Sequence, residues 1–157
     1  MIKTIGQWTH HWAQSANVTC LYTENIDSTN AWSKSHYTAS SAPTLYIADH
    51  QSSGRGRNKN TWTTSGVGNS LLSTWCFTLQ AIPHPLLNLQ IGFALYEALH
   101  KSWAQIPFSL KPPNDIYIEN GKCAGILTEV VSGKNITLHI GIGLNVFANP
   151  DIPQVTT

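Results

Sequence analysis

The stretch from Ser70 to Leu79, SLLSTWCFTL, sets Leu71, Trp75, Phe77 and Leu79 on one face and Leu72, Thr74, Cys76 and Thr78 on the other. Successive side chains of an extended chain point to opposite faces, so this period of two predicts a β-strand over 70–79. Downstream, Leu89, Phe93, Tyr96, Leu99 and Trp103 recur at helical spacing between Leu86 and Trp103, and Pro107 follows the stop. That spacing predicts a helix with an apolar stripe, and it places Phe93 and Trp103, with Trp75, in the core. Upstream, TCLYT at 19–23 and TLYIA at 44–48 read as short strands, being rich in β-branched and aromatic residues. Between them, Ser28 and Thr29 can cap a helix running through Ala31, Trp32 and Ser35. Further strands are expected near 108–111, 115–118, 123–131 and 136–142. The sum is an α+β (mixed α/β) domain, a mixed β-sheet with flanking helices.

The chain has 157 residues, 41% hydrophobic and 11% charged, with a formal charge of +1. A chain of this length can bury roughly two thirds of its unfolded surface, enough for one self-sufficient core. The small net charge gives no general attraction to nucleic acid or anionic membrane, so neither is expected as a partner. The N-terminal MIKTIGQWTHHWAQ lacks a basic segment followed by an apolar run, and no long apolar stretch follows, which points to a cytoplasmic protein. Cys20, Cys76 and Cys123 lie far apart in no CxxC pairing and are read as reduced thiols. The histidines show no metal-ligand spacing; His50 sits beside Gln51. No repeat or linker appears, so residues 1–157 are read as a single domain. There is no room for an N-terminal DNA-binding helix-turn-helix, and PDIPQVTT ends the chain with no C-terminal β-barrel.

Three segments could carry chemistry. Gly54-Arg55-Gly56-Arg57, followed by Lys59 and Trp62, places glycines that permit close backbone approach among guanidinium forks suited to phosphate or carboxylate. It is neither a P-loop nor a dinucleotide fingerprint, and read alone such a loop is more often a solvated turn. Lys111-Pro112-Pro113-Asn114-Asp115 precedes a strand and the turn Glu119-Asn120-Gly121, whose Asn-Gly step signals a hairpin. Lys122 then opens the returning strand near Lys111 and Asp115, where two lysines and a carboxylate could hold phosphates and Mg²⁺. Gly141-Ile142-Gly143-Leu144-Asn145 ends the last strand, where glycines mark a bulge or a close approach to a flat ligand.

Taken in order, Asp27-Ser28-Thr29-Asn30, Gln51 to Arg57 with Trp62, Lys111 to Asp115, Gly121 to Glu129 and Gly141 to Asn145 resemble the successive motifs of the biotin protein ligase family. The resemblance covers residues 19 to 149. It implies the catalytic fold shared with lipoate ligases and related to class II aminoacyl-tRNA synthetases. It also implies an ATP- and Mg²⁺-dependent enzyme that activates biotin to biotinyl-5'-AMP and transfers it to a lysine of a biotin carboxyl carrier protein. On this resemblance, Ser28, Thr29 and Gln51 recognise the biotin head with Gly54 and Arg55, while Gly125 lines the biotin site. Arg55 and Arg57 close over the adenylate, Trp62 packs near the adenine, and Asn145 contacts the nucleotide. Lys111, Asn114 and Asp115 face the phosphates, with Asp115 a candidate Mg²⁺ ligand, and Lys122 contacts the carboxylate and the acyl phosphate. Lys122, Arg55, Arg57 and Lys111 form the expected catalytic set. Pro112 stands where the family's KWPND pattern carries Trp, and Asn58 and Asn60 make the loop less basic than in many relatives. A lipoate or octanoate ligase or transferase of the same fold, and a non-catalytic biotin-binding module, remain alternatives. Dimers occur in the family, so a homodimer is also open.

Overall fold

The computed structural model describes residues 3–64 and 66–147. In chain order its elements are α1 (Ile5–Ser15), β1 (Thr19–Ile26), α2 (Thr29–His36), β2 (Thr44–Gln51), a 3₁₀ turn at Arg57–Lys59, β3 (Ser70–Leu79), α3 (Leu87–Ser102), β4 (Phe108–Lys111), β5 (Asp115–Ile118), β6 (Gly121–Ser132) and β7 (Ile136–Asn145). The seven strands form one sheet in the order β1-β2-β3-β7-β6-β5-β4. Only β1 and β2 run parallel, so the sheet is mixed, as expected of an α+β domain. The C-terminal PDIPQVTT, read as lacking a further domain, lies outside the described residues.

Helices cover both faces. Ala13 of α1 packs on Leu45 and Ile47 of β2 together with Tyr22 and Trp75. On the same face, Leu99 of α3 packs on Ile116, Cys123 and Ala124, with Leu95, Tyr96 and Phe108 around them. Helix α2 lies on the opposite face, where Trp32 meets Tyr46 edge-on. Its N-terminal residues Ser28, Thr29 and Asn30 are buried over the middle of the sheet.

Helix α1 is absent from the sequence-based expectation. Its local signal is a capping box: Thr4 Oγ1 accepts from the Gln7 N–H while the Gln7 side chain accepts from the Thr4 N–H. Asp49, 4% exposed, fastens the helix start to β2 by accepting from Thr4 Oγ1 at 2.6 Å and from the Tyr22 hydroxyl at 2.5 Å. Burial and this hydrogen bond to Asp49 push the Tyr22 hydroxyl up to about 12.

Two expectations are corrected. Phe93 and Trp103 are not core residues; they are 53% and 46% exposed, and α3 turns Gly92, Leu95, Tyr96 and Leu99 inward instead. A helical stripe wider than the sheet it covers leaves its outer members in solvent. The β5–β6 hairpin turns one residue early, through Glu119 and Asn120 rather than Asn120 and Gly121, with Glu119 at φ 54°. Among the cysteines, Cys76 and Cys123 are buried and Cys20 half-buried, all as free thiols, and burial raises Cys76 to about 11.

Candidate active site

The cleft sits on the α2 face of the sheet, where register places Gly125 of β6 opposite Gly143 of β7, and Gly141 opposite Thr74 of β3. These glycines remove side chains from the floor. A Cβ on Gly143 would meet Trp62 Nε1 at 2.7 Å, one on Gly125 would meet Trp62 Cζ3 at 2.8 Å, and one on Gly141 would strike the Asn30 amide. The indole and the Asn30 side chain therefore lie flat on bare backbone, a surface that only glycine allows. The cleft is narrow, about 40 Å³, and open to solvent.

At one end, α2 and the end of β2 build a neutral hydrogen-bonding head. Ser28, the N-cap of α2, is 1% exposed and receives the Ala31 N–H at 3.5 Å. Gln51 Oε1 accepts from the Thr29 N–H at 2.7 Å and from Thr29 Oγ1 at 3.0 Å. With its oxygen so occupied, the Gln51 amide leaves its NH₂ to the cleft. Asn30 is held from behind, donating to Glu129 Oε2 at 3.0 Å, and Lys34 pairs with Glu129 Oε1 at 2.7 Å. Burial would raise the Glu129 carboxyl, but the hydrogen bonds from Lys34 and Asn30 outweigh it and hold the group below its ordinary value.

At the other end stand the cations. The Gly/Arg segment forms a closed loop: Trp62 N–H donates to Gly54 O at 2.9 Å, Gly56 N–H to Asn60 O at 2.7 Å, and Arg55 bridges Thr61. Asn58, at φ 54°, makes the reversal in the left-handed region that Asn tolerates. Arg57 Nη1 reaches across to donate to Asn114 Oδ1 at 3.0 Å. Asn114 is itself pinned, its Nδ2 donating to Ile126 O at 3.1 Å. Lys122 Nζ lies 2.8 Å from Asp115 Oδ1 and 5.6 Å from the Trp62 ring centre. The ammonium is thus held between a carboxylate and an aromatic face at the edge of the cleft.

Of the residues expected from sequence, Ser28, Thr29, Gln51, Arg55, Arg57, Trp62, Asn114, Lys122 and Gly125 line this one cleft. Gly54 is buried at the root of the loop, where a Cβ would meet Trp62 O at 2.6 Å. Lys111 is exposed at the end of β4 and lies over the Tyr117 ring at 5.6 Å, outside the cleft lining. Asn145 also lies off the cleft lining; its Oδ1 accepts from Ser70 Oγ at 2.9 Å, and its buried Nδ2 has no partner among the described residues. Asp115 is engaged by Lys122, and no cluster of three His, Cys, Asp or Glu side chains occurs among the described residues. Asn30 and Ile142 stood within the quoted motifs without an assigned role, and Ser73 and Thr74 were given none; Asn30, Ser73 and Ile142 line the cleft and Thr74 supports it from beneath. The sequence signal of Ser73 and Thr74 is only their place in a strand.

Together the fold and the cleft define an α+β ligand-binding domain with a neutral, hydrogen-bonding head and a cationic far end. Residues 22–146 match the model of the Biotin/lipoate A/B protein ligase family. The chain belongs to that family, and its likeness runs to the catalytic domain of biotin protein ligases. The bifunctional ligase/repressor BirA of Bacillus subtilis is 37% identical over 71% of this chain and 35% of that protein. Its Escherichia coli counterpart is 34% identical over 76% of this chain and 38% of that protein. The biotin protein ligase of Aquifex aeolicus, solved with biotin and ATP, superimposes with a TM-score of 0.65 at 32% identity over 87% of this chain and 55% of that one. This chain therefore spans little more than a third of the two curated relatives. No helix among the described residues is long and apolar enough to cross a membrane.

Proposed function

We propose that this chain activates biotin with ATP and transfers it, through biotinyl-5'-AMP, to a lysine of a biotin carboxyl carrier protein. The observation that carries the reading is one cleft with an amide-and-hydroxyl head at Thr29 and Gln51, a glycine floor, and Lys122, Arg55 and Arg57 at the far end. A flat ureide fits the head, where Gln51 offers N–H donors to its carbonyl. The valerate chain would run toward Lys122, past the Trp62 indole that covers Gly125.

In the first step a biotin carboxylate oxygen attacks the α-phosphorus of ATP, forming the acyl phosphate bond as the bond to pyrophosphate breaks. Two anions must approach one another, and charge builds on the departing pyrophosphate. Fixed cations lower that barrier without donating a proton. Lys122, braced by Asp115, is the cation for the carboxylate and the acyl phosphate, while Arg57, braced by Asn114, and Arg55 serve the phosphates. In the second step the neutral amine of the acceptor lysine attacks the acyl carbon, AMP leaves, and the amine's proton goes to solvent. The Gly/Arg loop would cover the anhydride and keep water from it.

The test is pyrophosphate release by the full chain given MgATP with biotin, lipoate or octanoate separately. Release with biotin alone supports the reading; release with lipoate or octanoate instead contradicts it. Lys122→Ala should lose about 10- to 150-fold in adenylate formation, the equivalent of about 1.5–3 kcal/mol for a hydrogen bond to a charged group. Its far-UV circular dichroism and melting curve should stay close to those of the parent.

A further inference from the structure

A second recess adjoins the cleft. Ser52, Ser53, Asn60, Thr61 and Glu129 line it, and it holds about 540 Å³, open to solvent. Arg55, Gly56 and Leu127 line both the recess and the cleft, so they belong to the partition between the two. One further side chain stands on each side of that partition, Asn30 in the cleft and Glu129 in the recess. They are bonded to each other: Asn30 Nδ2 donates to Glu129 Oε2 at 3.0 Å, and to the main-chain oxygen of Leu127 at 3.4 Å.

Asn30 closes the cleft rather than donating into it. Its amide has two N–H groups, and Glu129 and Leu127 take both, which leaves neither for a ligand. The side chain is buried and lies against Gly141, where a Cβ would strike it. Swinging it aside would strip a donor from the Glu129 carboxylate, which Lys34 holds in place at 2.7 Å, and an ionised acceptor that loses a partner is costly. The amide is therefore a fixed wall, with about 40 Å³ on its cleft side and about 540 Å³ on the other.

We infer that Asn30 is a specificity-determining residue: fixed by Glu129, it is the end wall that limits the size of the ligand head, and its removal joins the cleft to the recess. The inference rests on the biotin reading above and deepens it. The cleft takes an unsubstituted ureide and excludes one that carries an alkyl group on nitrogen. A single extra methylene against a closed wall is worth about 10- to 200-fold in discrimination. Once the wall is gone, the added carbons enter the recess, between the hydroxyls of Ser52, Ser53 and Thr61 and the side chain of Leu127.

The experiment is steady-state kinetics of pyrophosphate release by the full chain and its Asn30→Ala and Glu129→Gln variants. Each is given MgATP with biotin, or with either of the two biotins that carry an ethyl group on one ureide nitrogen. The expected result is that kcat/KM of Asn30→Ala for at least one ethylated acid rises about tenfold or more above the parent's, while that for biotin falls. A loosened fold lowers turnover of every acid, so a gain on the larger one separates a wall from a merely structural side chain. Glu129→Gln keeps the shape and an acceptor for Asn30, and should keep the parent's preference. Asn30→Ser carries the same expectation as alanine if Asn30→Ala does not fold. A folded Asn30 variant that loses all three acids alike, or gains on neither ethylated one, would overturn the inference. A parent chain that turns over no biotin would contradict the underlying reading instead, so the two failures are distinguishable.

Discussion

Lys122 shows how one residue acquires a role from its partners. A lysine at the start of a returning strand is ordinarily a solvated surface charge, but here the Asp115 carboxylate stands 2.8 Å away and the Trp62 face lies beneath. Both partners are about a quarter exposed, so the pair is partly screened and its value lies in fixing the ammonium rather than in stability. Asp115→Asn should therefore lower kcat for adenylate formation about tenfold, on the order of 1.4 kcal/mol, with melting nearly unchanged. The magnesium dependence of the variant should match the parent; a shifted magnesium requirement would instead make Asp115 a metal ligand. Lys122, Asp115 and the two arginines were legible in the sequence through the order of the motifs that hold them, since each segment alone reads as a solvated turn. Thr74 was not, because a threonine inside a strand is also an ordinary β-forming residue, and only the third dimension brings Asn30 beside it.

At the scale of elements, hydrophobic period carried most of the reading. Strand β3 runs over the predicted 70–79, and β4 and β5 over the predicted 108–111 and 115–118. Strand β7 reaches three residues past the predicted 142, since glycine-rich ends give little propensity from which to judge a boundary. Helix α1 was missed because its large apolar residues, Trp8 and Trp12, point largely to solvent and its hold on the sheet rests on the small Ala13 and a polar contact to Asp49. Helix α3 matters to the site although none of its residues lines it. Gly92 lies so close to the β4–β5 turn that a Cβ would meet Pro113 O at 2.7 Å. Alanine there is a better helix former by about 1 kcal/mol, but backbone must yield to admit it, at about 1–3 kcal/mol. Gly92→Ala should thus lower the melting temperature by a few degrees and raise the KM for ATP more than that for biotin, because the neighbouring Asn114 holds Arg57. A variant as stable as the parent with both KM values unchanged would show that the turn adjusts freely.

Across the whole molecule, one polar seam ties α2 to the far strands, through Ser33 to His139 Nδ1 at 3.0 Å and through Lys34 to Glu129 at 2.7 Å. Burial lowers the His139 imidazole below its ordinary 6.5, while the nearby Glu129 charge opposes it; Glu129 itself is held below its ordinary value. In both cases the unfolded chain binds the proton more readily than the folded one, so stability falls as pH drops. Urea melts should lose stability from about pH 6.5 downward as unfolded His139 protonates, and further below the ordinary Glu range as Glu129 is forced neutral. His139→Gln should remove the upper part of that loss; a variant with an unaltered profile would assign it elsewhere. The polar head, the glycine floor and the cationic end share one face because α2, β6 and β7 meet at the centre of a single sheet. The account stands or falls on whether that face completes both chemical steps. The direct measurement is mass spectrometry of a carrier domain incubated with the full chain, biotin and MgATP. A biotin mass increment on one lysine is expected, forming about 10- to 150-fold more slowly with Lys122→Ala. An unmodified carrier, together with no biotinyl-5'-AMP in the mixture, would contradict it.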